Sequence, residues 1–198
     1  MPKERYMSDA GKFYEIDNPP VDYAEYAMIE ERVQVIDGEV YEMSSPTVNH
    51  QSAVGVCHSQ LQIQLKGKTC RPFIAPLDVR LFYKEDNSDT TIVQPDVMIV
   101  CDKNKIDRGF IKGAPDFVLE VLSESTRRMD MLYKTNIYAK AGVKEYWILD
   151  VETKVLNKGT LSADGKFFNF EIIEALGTIA LNTLSLSINF DEVFLGEE

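Results

Sequence analysis

Three segments of this chain, TIVQPDVMIVC (residues 91–101), PDFVLEVLS (115–123) and KEYWILDV (144–151), are nearly uninterrupted apolar runs. Short runs of this kind, rich in Val and Ile, suit strands covered on both faces, which implies a sheet held between other layers. Asp96 and Glu120 nevertheless set a carboxylate inside the apolar stretches QPDVMIV and FVLEV of the first two runs. Burying a lone ionised carboxylate costs several kcal/mol or more unless a partner compensates it. Fold class and function both turn on what that partner is.

The remaining pattern builds an α/β domain around these strands. Residues 1–20, polar and ending in Pro19-Pro20, read as an irregular N-terminal arm, and residues 21–198 as a single domain. VDYAEYAMIEERVQ (21–34) looks helical. VQVIDGEVYEMS follows as a hairpin around Asp37-Gly38, a pair suited to a type I′ turn. After Pro46 a second helix is predicted, with Val54, Cys57, Leu61 and Leu65 at three- and four-residue spacing. PFIAPLDVRLFY (72–83) alternates as one strand, with Val79 on one face and Asp78 and Arg80 on the other. TRRMDMLYKTNIYAKA (126–141) forms a further helix closed by Gly142, with Met129, Tyr133 and Ile137 as its apolar stripe. Short β runs dominate from residue 154 onward. The expected architecture is a mixed central sheet with flanking helices and a β-rich C-terminal tail.

Totals narrow the function. A chain of 198 residues, 44% apolar and 27% charged, can bury a core without staples. No run reaches the length of a membrane span, and the first residues lack a signal-peptide core, so a cytoplasmic protein without a membrane partner is expected. Cys57, Cys70 and Cys101, odd in number and widely spaced, fit reduced thiols better than a disulfide framework or a zinc module. The net charge of −11 opposes nonspecific binding to nucleic acid, which needs clustered Lys and Arg. There is no GxSxG elbow, P-loop, GxGxxG or HExxH.

Twenty-three residues separate Asp96 from Glu120, enough for a loop that returns the chain and pairs their strands. The two acids then project toward one point. A divalent cation would relieve their repulsion, since Mg²⁺ or Mn²⁺ takes one or two carboxylates together with water and substrate phosphate. Asp130, Lys134 and Tyr138, spaced i, i+4, i+8, lie on one face of the next helix. Lys134 can therefore reach back over the acids, where an ammonium would stabilise phosphoryl charge; the alternative is a simple i,i+4 ion pair with Asp130.

QPDVMIV, FVLEVLSEST, D-x-x-x-K-x-x-x-Y and GVKEYWILD, taken together, resemble the Uma-type family of bacterial proteins described as "putative restriction endonucleases", within the PD-(D/E)xK nuclease superfamily. The resemblance runs from about Ile36 to LSLSINFDEVF. It implies a restriction-endonuclease-like fold and a Mg²⁺- or Mn²⁺-dependent endonuclease cutting nucleic acid, with DNA the expected substrate. Asp96 matches the motif aspartate and Glu120 the second acid, and the Val121 carbonyl is a further expected ligand. Leu122 stands where the superfamily's usual lysine would be, which makes Lys134 the candidate for a migrated lysine. If Lys134 points elsewhere, a non-catalytic nucleic-acid or protein interaction module that keeps the fold becomes the better reading.

Around this centre stand weaker candidates. His50 opens the second helix, where the family tends to show a histidine. Asp78 could project toward the same sheet edge, Glu39 could serve as an early acid, and Asp130 reads as a partner of Lys134 rather than a ligand. Lys103, Lys105, Arg108 and Lys112, in the loop between the two acidic strands, form a locally cationic stretch suited to phosphate contact, and Arg127 could extend it. A homodimer would suit duplex cleavage, which needs two cuts.

Overall fold

The computed structural model describes residues 5–7, 13–15, 19–123, 127 and 129–194, the first two segments as backbone only. Within the arm expected to be irregular, β1 (Arg5–Met7) pairs antiparallel with β2 (Phe13–Glu15). The helix predicted over 21–34 shrinks to α1 (Tyr23–Tyr26). Asp22 and Glu25 form a capping box that starts it. It buries no residue, Met28 beyond it is 82% exposed, and the chain turns into β3 (Val33–Ile36) instead. β3 and β4 (Glu39–Glu42) make the expected hairpin, with Asp37 and Gly38 both at positive φ (52° and 86°). Gly38 is required twice over, because a Cβ there would lie 2.3 Å from that of Pro20.

Thr47 caps α2 (Val48–Leu65), whose buried face includes the predicted Val54, Cys57, Leu61 and Leu65. The two long strands predicted next are each broken at a proline. Arg71–Ile74 forms β5 and Asp78–Arg80 forms β6, with Pro76 between them; Ile92–Val93 forms β7 and Val97–Val100 forms β8, with Pro95 between them. A proline has no N–H for a ladder, so at each break the chain leaves one sheet and enters another. β9 (Phe110–Lys112), β10 (Phe117–Val121), a π-helical turn (Met129–Lys134), α3 (Thr135–Ala141) and β11 (Glu145–Asp150) follow. Then come β12 (Val155–Leu161), β13 (Phe168–Glu174), β14 (Thr178–Ala180), β15 (Ser187–Asn189) and α4 (Phe190–Val193).

The central sheet runs β13-β12-β11-β10-β8-β5, with only β10 and β11 parallel, joined through the π-turn and α3. A second sheet runs β4-β3-β7-β6-β9, and β14 pairs with β15. The predicted mixed sheet covered on both faces is present. Val97, Ile99, Phe117 and Leu119 face α2, β15 and α4, while Met98, Val100 and Val118 face α3 and the second sheet. β13 closes one edge of the central sheet, with Phe170 39% and Ile172 70% exposed.

Arg80, predicted on the strand face opposite Val79, is 1% exposed: it is ion-paired with Asp89 and stacked on the rings of Tyr23 and Tyr83. Cys70 and Cys101, read as separate thiols, form a disulfide. They flank the antiparallel β5–β8 pair, in which Arg71 faces Val100, so the register sets them opposite each other despite their distance in sequence. Cys57 remains a buried free thiol. Among the described residues no helix is long and apolar enough to cross a membrane.

Candidate active site

Asp96 and Glu120 meet where the chain passes between the two sheets. β8 and β10 are antiparallel, and their ladder ends at the Val97–Leu119 pair because Pro95 offers no N–H to continue it. Side chains take over from there. Asp96 Oδ2 accepts the Val121 N–H at 2.8 Å, and Glu120 Oε2 lies 3.4 Å from the Asp96 N. Both acids head a cleft of about 390 Å³ lined from α2, the hairpin side of the second sheet, the two proline breaks and the π-turn.

Lys134 reaches this point. Its Nζ lies 3.0 Å from Glu120 Oε1 and 3.0 Å from Asp130 Oδ1, so it reaches back to the acids and also makes the i,i+4 ion pair. The π-turn makes this possible. Its wider turn carries Asp130 and Lys134 together onto the buried side, each no more than 3% exposed, while Tyr133, predicted in the apolar stripe, is turned outward to 43% exposure. Leu122 packs in the core beside Met129, so it plays no part in the cleft.

Charge in this cluster is not balanced. Burial pushes the Glu120 carboxyl up to about 8; Lys134 and the Tyr138 hydroxyl, which donates to Oε1 at 2.7 Å, work against the shift, and Asp130 and Asp96 reinforce it. Burial opposes the charge on Lys134, yet Asp130, Glu120 and Asp96 hold its pKa above the ordinary lysine value. His50 joins through α2, its Nε2 3.2 Å from Asp96 Oδ2 and its Nδ1 without a hydrogen-bond partner. Burial lowers its pKa, but the Asp96 hydrogen bond and the charges of Asp96 and Glu120 raise it overall.

The other candidates are placed elsewhere. Asp78 lies behind the cleft, where its Oδ1 accepts from the Tyr26 hydroxyl and the Gln94 amide, both at 2.8 Å. Glu39 accepts from the Tyr41 hydroxyl in the hairpin and does not line the cleft. The loop carrying Lys103, Lys105, Arg108 and Lys112 joins the far ends of β8 and β10, opposite the acids, so it does not flank them as expected. There Lys105 donates to the Ala114 carbonyl and Lys112 pairs with Asp107. Arg127 sits at the acid end of the sheet and pairs with Asp150 at 2.7 Å. Sequence reasoning missed Gln34, Gln94 and Arg32, which line the cleft, and the Tyr138 bond to Glu120. Gln34, a polar residue in the apolar run VQVI, carried a weaker form of the signal given by Asp96.

Among the described residues no group of three or more His, Cys, Asp or Glu side chains is arranged to hold a metal ion alone. An ion here would draw on Asp96, Glu120 and the Val121 carbonyl, with water and substrate phosphate completing the shell. That division is ordinary for Mg²⁺. Asp96 and Asp130, joined by Glu120 once its proton has left, outweigh the one lysine, so the residues present fit such an ion.

A mixed sheet flanked by helices, with two strand-end acids and a lysine converging at one edge, defines the restriction-endonuclease-like class. The solved structures agree on the fold. A crystal structure from Anabaena variabilis, titled as a putative nuclease belonging to DUF820, superposes with a TM-score of 0.70 at 16% identity, covering 88% of this chain and 98% of that one. The Uma2 family model, described as "Putative restriction endonuclease", matches residues 21–189, and the chain belongs to that family. No curated protein sequence matches it.

Proposed function

We propose that this protein hydrolyses phosphodiester bonds in nucleic acid, with DNA as the substrate and Mg²⁺ or Mn²⁺ as the cofactor. The observation that carries the reading is the convergence of Asp96, Glu120 and Lys134 at the head of one cleft, from two strands and a π-turn. Asp96, Glu120 and the Val121 carbonyl would hold the ion. It would supply Lewis-acid polarisation of the phosphoryl oxygen and acidify water. Lys134, held by Glu120 and Asp130, presents fixed positive charge where the transition state gains negative charge. Asp130 keeps the ammonium oriented and charged, while Tyr138 fixes Glu120 from the other side. Water attacks phosphorus in line with the leaving oxygen.

Calorimetric titration of Mn²⁺ and Mg²⁺ into wild type, Asp96→Ala and Glu120→Ala tests the site without reference to activity. Saturable binding lost in both folded variants is the expected result. Lys134→Ala should retain binding and lose roughly 10²–10³-fold in cleavage rate. Wild type that binds neither ion, with or without oligonucleotide, would refute the reading.

A second reading rests on Leu122 packed in the core and Lys134 already engaged by two carboxylates: a binding module without cleavage. Nucleic-acid binding that survives Asp96→Ala, with no cleavage by any preparation, would favour it.

A further inference from the structure

Two side-chain acceptors in the cleft have no hydrogen-bond partner, and neither belongs to the acid cluster. Gln34 is 3% exposed, and its Oε1 is unpartnered; the Oε1 of Gln94 is also buried and unpartnered. Both residues line the cleft. Leaving such an acceptor unsatisfied is destabilising, so a protein rarely keeps two in one place without use for them.

The orientation of Gln94 is chemically fixed. Its Nε2 donates to Asp78 Oδ1 at 2.8 Å, and that carboxylate is held in turn by the Tyr26 hydroxyl. A carboxylate accepts hydrogen bonds and so selects the NH₂ end of the amide, which leaves the carbonyl oxygen, on a residue that lines the cleft, without a donor from the protein. Asp78, a weaker candidate for the same sheet edge, acts one residue back, as a positioning residue for this amide.

An amide oxygen calls for a donor from the ligand. Phosphate oxygens are acceptors and are not satisfied there; they suit the end of the cleft where Lys134 stands. Nucleobases are different, because every base carries an N–H on its Watson–Crick edge. In a duplex those hydrogens are already used in pairing. The cleft volume of about 390 Å³ suits one small-molecule-sized group, and a duplex could bring a base edge into it only by extruding the nucleotide. Cations point the same way. Among the described residues, Arg32 and Lys134 are the Lys and Arg residues of the cleft wall, and the Lys103–Lys112 stretch lies at the opposite end of the sheet. That is thin provision for tracking the two phosphate chains of a duplex.

We infer that the cleft takes an unpaired nucleotide, its base held by Gln34 and Gln94 through a Watson–Crick-edge N–H while the adjoining phosphodiester lies at Asp96 and Glu120. This rests on the nuclease reading and adds to it a substrate class, single-stranded or unpaired nucleic acid, selected with little regard to sequence.

Fluorescence anisotropy in low salt with Ca²⁺ tests it on three labelled probes: a twelve-nucleotide DNA strand of mixed sequence, its duplex, and the same strand with abasic positions throughout. Wild type should bind the intact strand about tenfold or more tighter than either other probe, the scale of one good base contact. Gln94→Leu and Gln34→Leu, each verified as folded by thermal melting, should drive the intact-to-abasic ratio toward one. Equal binding of the abasic strand, equal or tighter binding of the duplex, or a full preference retained by both folded variants would overturn the inference while leaving the nuclease reading standing. Binding of no probe would overturn both.

Discussion

A single glutamate gives the site a pH dependence of its own, beside that of His50. Burial holds the Glu120 carboxyl at about 8, against an ordinary 4.5, so between those values the folded protein keeps a proton that the unfolded chain releases. Stability from this group is therefore complete below about pH 4.5 and is lost as pH rises through 8. Thermal melts across that window should show wild type losing more stability than Glu120→Gln, whose side chain does not titrate. The same proton must leave before an ion can bind, so Mn²⁺ affinity should climb through about pH 8 with proton release measurable by calorimetry in two buffers. Tyr138→Phe removes a buried hydrogen bond to Glu120 and should cost about 1–3 kcal/mol by denaturant titration. The two acids were legible because each interrupts an apolar run. Gln34 and Gln94 interrupt their runs too, but a neutral amide carries no desolvation alarm comparable to a charge, and Gln94 sits beside the more conspicuous Pro95-Asp96.

Elements were legible where their periodicity is regular, as in α2 and the Asp37-Gly38 hairpin. They were misread where a local rule yields to a tertiary one. A helical wheel assumes a constant angular step; the π-turn changes it between Met129 and Lys134, which turns Tyr133 outward. Pro76 and Pro95 divide what the sequence presents as two long strands into four, so the second sheet could not be foreseen from alternation alone. Strand register also joins Cys70 to Cys101, a pairing that spacing in sequence cannot disclose. Cross-linking residues 31 apart is worth about 3–4 kcal/mol by the chain-entropy account. A reductant should therefore lower the melting temperature of oxidised wild type and leave that of Cys70→Ser unchanged. Thiol titration of the denatured oxidised protein should count Cys57 alone.

At the scale of the whole molecule, charge is distributed against broad contact with nucleic acid. The net charge of −11 and the two basic residues that line the cleft among the described residues imply few phosphates neutralised per bound strand. The logarithm of the binding constant should consequently fall only shallowly with the logarithm of salt, by roughly 0.7 per contacted phosphate of a single strand. The same charge bears on β13, a seven-residue strand that among the described residues has a sheet neighbour on one side only, with Phe170 and Ile172 showing on its surface. Such a border is a template for another chain's backbone. At neutral pH mutual repulsion holds copies apart, and Glu171 and Glu174 guard the strand itself. Near the isoelectric point of about 4.7 that protection lapses. Acidified solutions should scatter light and nucleate assemblies rich in cross-strand pairing, and Ile172→Lys should keep them clear: the colloidal lifetime of this protein is set at its rim, away from the cleft where its chemistry lies.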